Sequence, residues 1–343
     1  LICGVIAINT RPYLNHTGMN FNLPLELWGK LKVPIVFYGI SYRIWPWQYI
    51  HHKEKIYNTI KHAIENKNVL FGVRDDGTKE WIEENIGIKS DKILKVPDPA
   101  LFIKTEPYEH KQIEKGRVNV ILSLNNEDEW NRYGGTLQKI LMRLSSKIIQ
   151  ERSFLAFWNG IFPNITKRKR KMLANIANAM EDLNKKYNVN IILCPHYFHD
   201  FKIMAEFVEF LPVSMPHQNV LSTGIYRVSN SMSFYDIYAK ADVSISMRVH
   251  SMSPSIAVET PVIVLSTQKR LSRFMSEFKL EEFCLDAFDA NLASKIKERF
   301  EYCISHREEV LQKLRKAKRK AREDIREYNI KFIELLKNSG ADV

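Results

Sequence analysis

Two short apolar runs, 241–247 and 261–265, flank a stretch of small residues, and this spacing restricts the fold more than any other feature. Each run has the length of a buried strand. The stretch between them, Ser251-Met252-Ser253-Pro254-Ser255-Ile256-Ala257, reads as a helix start. Strand, helix and strand in so few residues make a β-α-β unit, whose strands must be parallel. At its first strand-to-helix turn stands Arg248-Val249-His250. That edge of an open parallel sheet is where ligands bind, and helix N-termini there favour anions. An arginine and a histidine at such a turn point to an acidic substrate and a proton transfer.

The same alternation recurs along the chain. Val33 to Tyr38, ending at Gly39, and Val69-Leu70-Phe71-Gly72-Val73 read as strands. Residues 45–66 read mostly as helix, and 79–86 as a helix stopped by Gly87. A polar segment, 104–117, reads as a linker. Beyond it lie strands at 118–124 and 190–194, helices at 166–187 and 233–240, and a charge-rich helical end at about 293–336. This predicts two α/β domains, 1–110 and 117–343, each a Rossmann-like parallel sheet. The two are expected to face a cleft that holds the active site, with the C-terminal helix packing back on the first domain.

The 343 residues carry 45% hydrophobic and 26% charged residues, the balance of a soluble globular protein. A net charge of +12 suits anionic partners without choosing among them. Four cysteines without a C-x-x-C pair fit a reducing cytoplasm. The chain opens inside a strand-like run, 1–8, without an initiator Met, so a natural N-terminal segment is expected to be missing, with any targeting signal.

In order, Gly72-Val73-Arg74-Asp75-Asp76-Gly77-Thr78-Lys79, Pro97-Asp98-Pro99-Ala100, the segment Phe234 to Asp242 leading into Met247-Arg248-Val249-His250-Ser251, and the strand 261–265 resemble the polysaccharide pyruvyl transferase family. The resemblance covers about 30–103 and 230–335, and 118–230 mainly in strand–helix order. It implies a GT-B-like fold. It also implies transfer of the enolpyruvyl unit of phosphoenolpyruvate to a sugar of a cell-surface polysaccharide or its lipid-linked precursor, with a pyruvate ketal formed and phosphate released. The expected partners are phosphoenolpyruvate, a glycan or lipid-linked sugar acceptor and, peripherally, an anionic membrane at its cytoplasmic face. No cofactor or metal is expected.

Departures from the family pattern are also visible. The first domain is expected to lack the family's opening strand-turn-helix. Asn125-Asn126 follow the strand after which the family often has an Arg. Thr267-Gln268-Lys269-Arg270 replace Tyr-Asp-Pro-Lys, with Arg270 at the Lys.

His250 and Arg248 are the expected catalytic pair: an imidazole titrating near neutrality for proton transfer, and a guanidinium to clamp carboxylate or phosphate. Arg74, Asp75, Lys269, Arg270 and His196 are the expected substrate contacts. For each a plainer role stands beside this one: an ion pair of Arg74 with Asp75 or Asp76, a salt-bridged Arg248, a helix-capping His250, a solvated basic face at Lys269 and Arg270. His196 and His199-Asp200 hint at a metal, but no third ligand cluster supports one. The runs 167–171 and 313–326 read as solvated faces or as membrane contacts. Trp45, Trp47 and Trp158 suit either a core or stacking on sugars.

Three rivals remain. A GT-B-type glycosyltransferase would use a nucleotide sugar, with Glu259 at its base or ribose. A nucleic-acid binder would need aromatics among the basic runs, which carry few. A family member that kept the fold and lost the reaction would fit the departures.

Overall fold

The computed structural model describes residues 1–3, 6–9, 15–31, 33–145, 165–219 and 231–340. Trp158 lies outside them. The chain forms two compact units, and each is discontinuous in sequence. One comprises Leu1–Asp98, Thr136–Pro163 and Ala321–Val343; the other comprises Pro99–Gly135 and Asn164–Lys320. Each holds a parallel sheet flanked by helices, so the α/β class read from the sequence is the class observed.

The first unit's sheet contains β1 (Ile2–Cys3), β2 (Ile6–Asn9), β3 (Ile35–Arg43), β4 (Val69–Arg74) and β5 (Ile93–Val96). The order is β1-β3-β4-β5, with β2 also paired to β3. Successive side chains of a strand point to opposite faces. Phe37 therefore joins Phe71, Ile56, Ile60 and Ile82 in one buried cluster, while Val36 joins Val96 and Tyr328 in another. The strand expected at 33–38 does not stop at Gly39. The backbone there takes φ +63, which a glycine accommodates, and the register against β4 shifts between Phe37 and Ile40. The strand runs through this irregularity to Arg43.

Residues 45–66 are not one helix either: the helix is Lys53–Glu65, and His52 before it sits at φ 55. Pro46 holds the preceding residue away from helical geometry, and 46–48 form a turn. In the C-terminal region, two helices, Leu292–Ser305 and Arg307–Asn338, are separated at His306.

The second unit's sheet contains β6 (Val118–Ser123), β7 (Val189–Leu193), β8 (His217–Asn219), β9 (Val243–Ser246), β10 (Val262–Ser266) and β11 (Cys284–Asp286). All pairs are parallel, in the order β8-β7-β6-β9-β10-β11. The chain leaves β6 toward β7 and β8, then returns to place β9 on β6's other side. The direction of winding thus reverses between β6 and β9. Helices leaving the two strands diverge there, which opens a crevice at the carboxyl ends of the strands.

Candidate functional site

At the carboxyl end of β9 the chain turns through Arg248, which is extended at φ −134, into the helix Val249–Ala257. Two serines close this turn. Ser251 donates its hydroxyl to the Arg248 carbonyl at 3.2 Å and Ser246 donates to the same oxygen at 3.1 Å. The helix is built of small residues and is buried almost throughout, packing against β9, β10 and the short turn Pro99–Phe102. His250, in its first turn, is exposed.

The Arg248 guanidinium is held from below. Its Nε and Nη2 donate to Asp200 at 2.8 and 2.7 Å, and its Nη1 donates to Glu127 at 3.2 Å. Asp200 is fully buried. It also accepts the backbone N–H of Asn126, His196 and Tyr197, at 3.3, 3.2 and 3.0 Å. One carboxylate therefore ties the loop after β6, the loop after β7 and the turn after β9 together. The salt-bridged arrangement of Arg248 is the one observed, and its partners come from the same unit.

A second guanidinium stands beside it. Arg132 is buried; its Nε donates to the Glu127 carbonyl at 3.0 Å and its Nη1 donates to the Thr267 hydroxyl after β10. Burial lowers its pKa and nearby Arg248 adds to that, against Asp128 and Glu127. A desolvated cation beside a like charge is stabilised by an added anion. Arg132 stands on the short helix Glu129–Tyr133 that follows Asn125-Asn126, and Thr267 is one of its partners. Tyr133 fixes that helix by donating its hydroxyl to the Asn125 carbonyl at 2.5 Å.

Below this lies a buried lysine. Lys169 Nζ is 2.5 Å from both Glu129 and Glu206, and donates to Asn126 Oδ1 at 3.2 Å. The run 167–171 is therefore not uniformly solvated. Lys169 lies on the inward stripe with Met172, Leu173 and Ile176, while Lys167, Arg170 and Lys171 are exposed.

His196 is half-buried, with Nε2 2.5 Å from the Tyr238 hydroxyl, which donates to Cys194 Sγ at 3.4 Å. Its ring lies 5.5 Å from that of Phe234 and 6.0 Å from that of Tyr235. Burial pushes its pKa well below the usual value, and the charges of Arg248 and His250 push the same way. It is a neutral hydrogen-bonding imidazole rather than a cation. Burial also pushes the Cys194 thiol up to about 12, which leaves it unreactive as a nucleophile.

Lys269 and Arg270 open the helix Lys269–Glu277 after β10, exposed and half-buried respectively. Arg74 and Asp75 belong to the other unit, at the carboxyl end of β4. Both are buried, and Arg74 Nε lies 3.4 Å from Asp98. Thr78 donates to Asp76 at 2.5 Å, and Gly77 at φ 85 leads into the helix Thr78–Ile86. The second unit thus brings together Arg248, His196 and His250, with Lys269 and Arg270 at the next strand end; Arg74 and Asp75 belong to the first unit.

Glu259 is taken up by Arg315 and Lys318, at 2.8 and 2.7 Å. Among the described residues no cluster of three metal-ligating side chains occurs. Trp45 is buried and stacks on Trp47 at 5.3 Å, and Lys139 Nζ lies 4.2 Å over the Trp47 ring.

Sequence reasoning did not single out Arg132, Glu127, Lys169 or Tyr238, and considered Asp200 only for a metal. Arg132 carried a weak signal, as the first arginine after a strand where one was expected.

Solved structures similar to the chain include the S. aureus MnaA–UDP complex, with 10% identity over 93% of this chain and 73% of that one, at a TM-score of 0.47. Another is an α,α-trehalose-phosphate synthase (UDP-forming) from Burkholderia vietnamiensis, with 12% identity over 91% and 71%, at 0.46. A third is WaaG, a glycosyltransferase involved in lipopolysaccharide biosynthesis, with 10% identity over 89% and 79%, at 0.42. No curated protein matches the chain in sequence. The family model for polysaccharide pyruvyl transferase matches residues 8–269, a span that includes the Arg248 turn and ends after β10. The chain belongs to the polysaccharide pyruvyl transferase family.

Proposed function

We propose that the protein transfers the enolpyruvyl group of phosphoenolpyruvate to two hydroxyls of a sugar in a polysaccharide or its lipid-linked precursor. The observation that carries this reading is the pairing of Arg132 and Arg248 around Glu127 at the β6/β9 crevice, beside the exposed His250. The donor bears a carboxylate and a phosphate, and guanidiniums are the side chains best matched to both. Arg132, whose charge is penalised by burial and by Arg248, gains most from an anion. Lys269 and Arg270 open the helix after the next strand, β10.

In this reading His250 gives a proton to the donor's methylene carbon, which becomes the methyl group. The adjacent carbon becomes oxocarbenium-like, a sugar hydroxyl adds to it, and its proton returns to a base. The bond to the phosphate oxygen breaks and phosphate leaves. A second hydroxyl adds to the same carbon and closes the ketal. Its proton balances that on the departing phosphate. Neutral His196 contributes a hydrogen bond rather than charge. Arg74 and Asp75 are proposed as substrate contacts.

Phosphate release from phosphoenolpyruvate, measured with and without sugar acceptors, tests the reading. Acceptor-dependent release is expected, with thermal stabilisation by phosphoenolpyruvate alone. Stabilisation by a nucleotide sugar with none by phosphoenolpyruvate would replace it with a glycosyltransferase.

A further inference from the structure

The helix Ser231–Lys240 packs with Ile121 of β6 and Ile192 and Cys194 of β7's end in one buried cluster, and it brings the Tyr238 hydroxyl there. That hydroxyl has a single proton to give. It is directed at Cys194 Sγ, 3.4 Å away, so in the 2.5 Å contact with His196 Nε2 the ring nitrogen is the donor. His196 is neutral, because burial and the charges of Arg248 and His250 oppose a second ring proton. A neutral imidazole with its proton on Nε2 carries a lone pair on Nδ1. Among the described residues the ring's hydrogen bonds run only through Nε2, which leaves Nδ1 to a ligand. The residue is also held in place. Its backbone N–H is donated to Asp200, the carboxylate that holds Arg248, and Phe234 stands edge-on to its ring at 5.5 Å.

We propose that Tyr238, with Cys194, is a positioning residue that fixes the tautomer of His196, so that the Nδ1 lone pair receives a hydroxyl of the acceptor sugar rather than an oxygen of the donor. This rests on the transferase reading above. Hydrogen-bond chemistry separates the two substrates. An ionised carboxylate or phosphate oxygen only accepts, and two lone pairs facing each other repel. A sugar hydroxyl has a proton to give. The guanidiniums of Arg132 and Arg248 carry only donors and match the donor's anions. One sheet edge thus offers N–H groups to one substrate and an acceptor atom to the other. The opposite relay, Cys194 to Tyr238 and Tyr238 to Nε2, would place an N–H at Nδ1, suited to an anion. It would add a positive pole to a ring already set among the charges of Arg248 and His250, which disfavours it.

Nitrogen-15 spectra of the histidine-labelled full chain at neutral pH test this, with the His196 signals identified by their loss in His196→Gln. The wild-type ring is expected to be protonated at Nε2 alone. Tyr238→Phe is expected to populate both tautomers, and Cys194→Ala, which frees the Tyr238 proton for Nε2, to favour Nδ1–H. Turnover is followed as phosphate release with whichever of methyl glucoside, galactoside or mannoside is accepted. There His196→Gln is expected to raise the acceptor KM roughly tenfold, the worth of about one hydrogen bond, and Tyr238→Phe by a smaller factor. The thermal stabilisation given by phosphoenolpyruvate is expected to stay as in the wild type. His196→Asn, whose amide oxygen stands near the Nδ1 position, is expected to recover part of the loss. A wild-type ring protonated at Nδ1, a tautomer that neither Tyr238→Phe nor Cys194→Ala changes, or a His196→Gln chain that loses phosphoenolpyruvate stabilisation with its acceptor KM unchanged would overturn the proposal. A wild-type chain that releases no phosphate with any of these sugars would overturn the transferase reading and this one with it, whereas Nδ1–H in the wild type overturns this one alone.

Discussion

Asp200 organises the second unit's sheet edge although it stands on no strand. It takes two charge-assisted bonds from Arg248 and three from backbone amides. Removing one partner of a buried ion pair leaves the other charge unanswered, which costs roughly 3–5 kcal/mol. Asp200→Ala is therefore expected to lower unfolding stability by about that much in urea titration. Glu127, an intermediate-exposure partner of Arg248, is expected to matter less to stability when changed to Gln. At the same turn His250→Ala is expected to reduce turnover by roughly a hundredfold or more while donor-induced thermal stabilisation persists. Equal turnover in that variant would remove His250 from the proton transfer.

Among the elements, the long helix Arg307–Asn338 packs on the first sheet through Tyr328, with Ile325, Phe332 and Leu335 around it. Tyr328 donates its hydroxyl to the Phe37 carbonyl at 2.7 Å, and its ring packs edge-on to Tyr38 at 5.3 Å. Gly72 on β4 makes room for it: a Cβ there would lie 2.6 Å from Tyr328 and Val96 and 2.7 Å from the Phe37 oxygen. Gly72→Ala is expected to cost about 1–3 kcal/mol by overpacking, read as a lower melting temperature. A melting temperature equal to wild type would show that the helix shifts freely. The sequence marked Gly72 only as part of a motif segment; its reason is a residue 256 positions later in the chain, as the numbers of Gly72 and Tyr328 give directly.

For the whole molecule, histidines set the response to acid. His196 and His110 are held below the ordinary value of 6.5, first by burial; the charges of Arg248 and His250 act with burial on His196, and Asp236 opposes it on His110. Below that value the unfolded chain takes up protons that the folded one refuses, so stability falls as pH drops from about 6.5. Glu129, held low by Lys169 and Lys202 against burial, loses its contribution only in the carboxylate range. Denaturation midpoints are thus expected to fall first between neutral pH and the carboxylate range, and His196→Gln is expected to flatten that first slope. An unchanged slope would mean that His196 is charged in the folded state.

Local pattern was sufficient for much of this. Apolar runs of strand length, small residues after Ser246 and glycines at helix ends report short-range sterics and periodicity, so the α/β class, most strands and the Arg248-Val249-His250 turn were legible in the chain, and with them the family. The exceptions were local conflicts: Gly39 carries β3 onward through an irregular register, and Pro46 delays a helix. What the tertiary structure decided is pairing. Which carboxylate neutralises Arg248, which arginine stands beside it, why Lys169 points inward from a basic run, and which glycine faces Tyr328 all depend on residues far apart in sequence. Charge and volume are answered in space by whatever neighbour the fold supplies, and the order of residues along one strand or helix does not contain that neighbour.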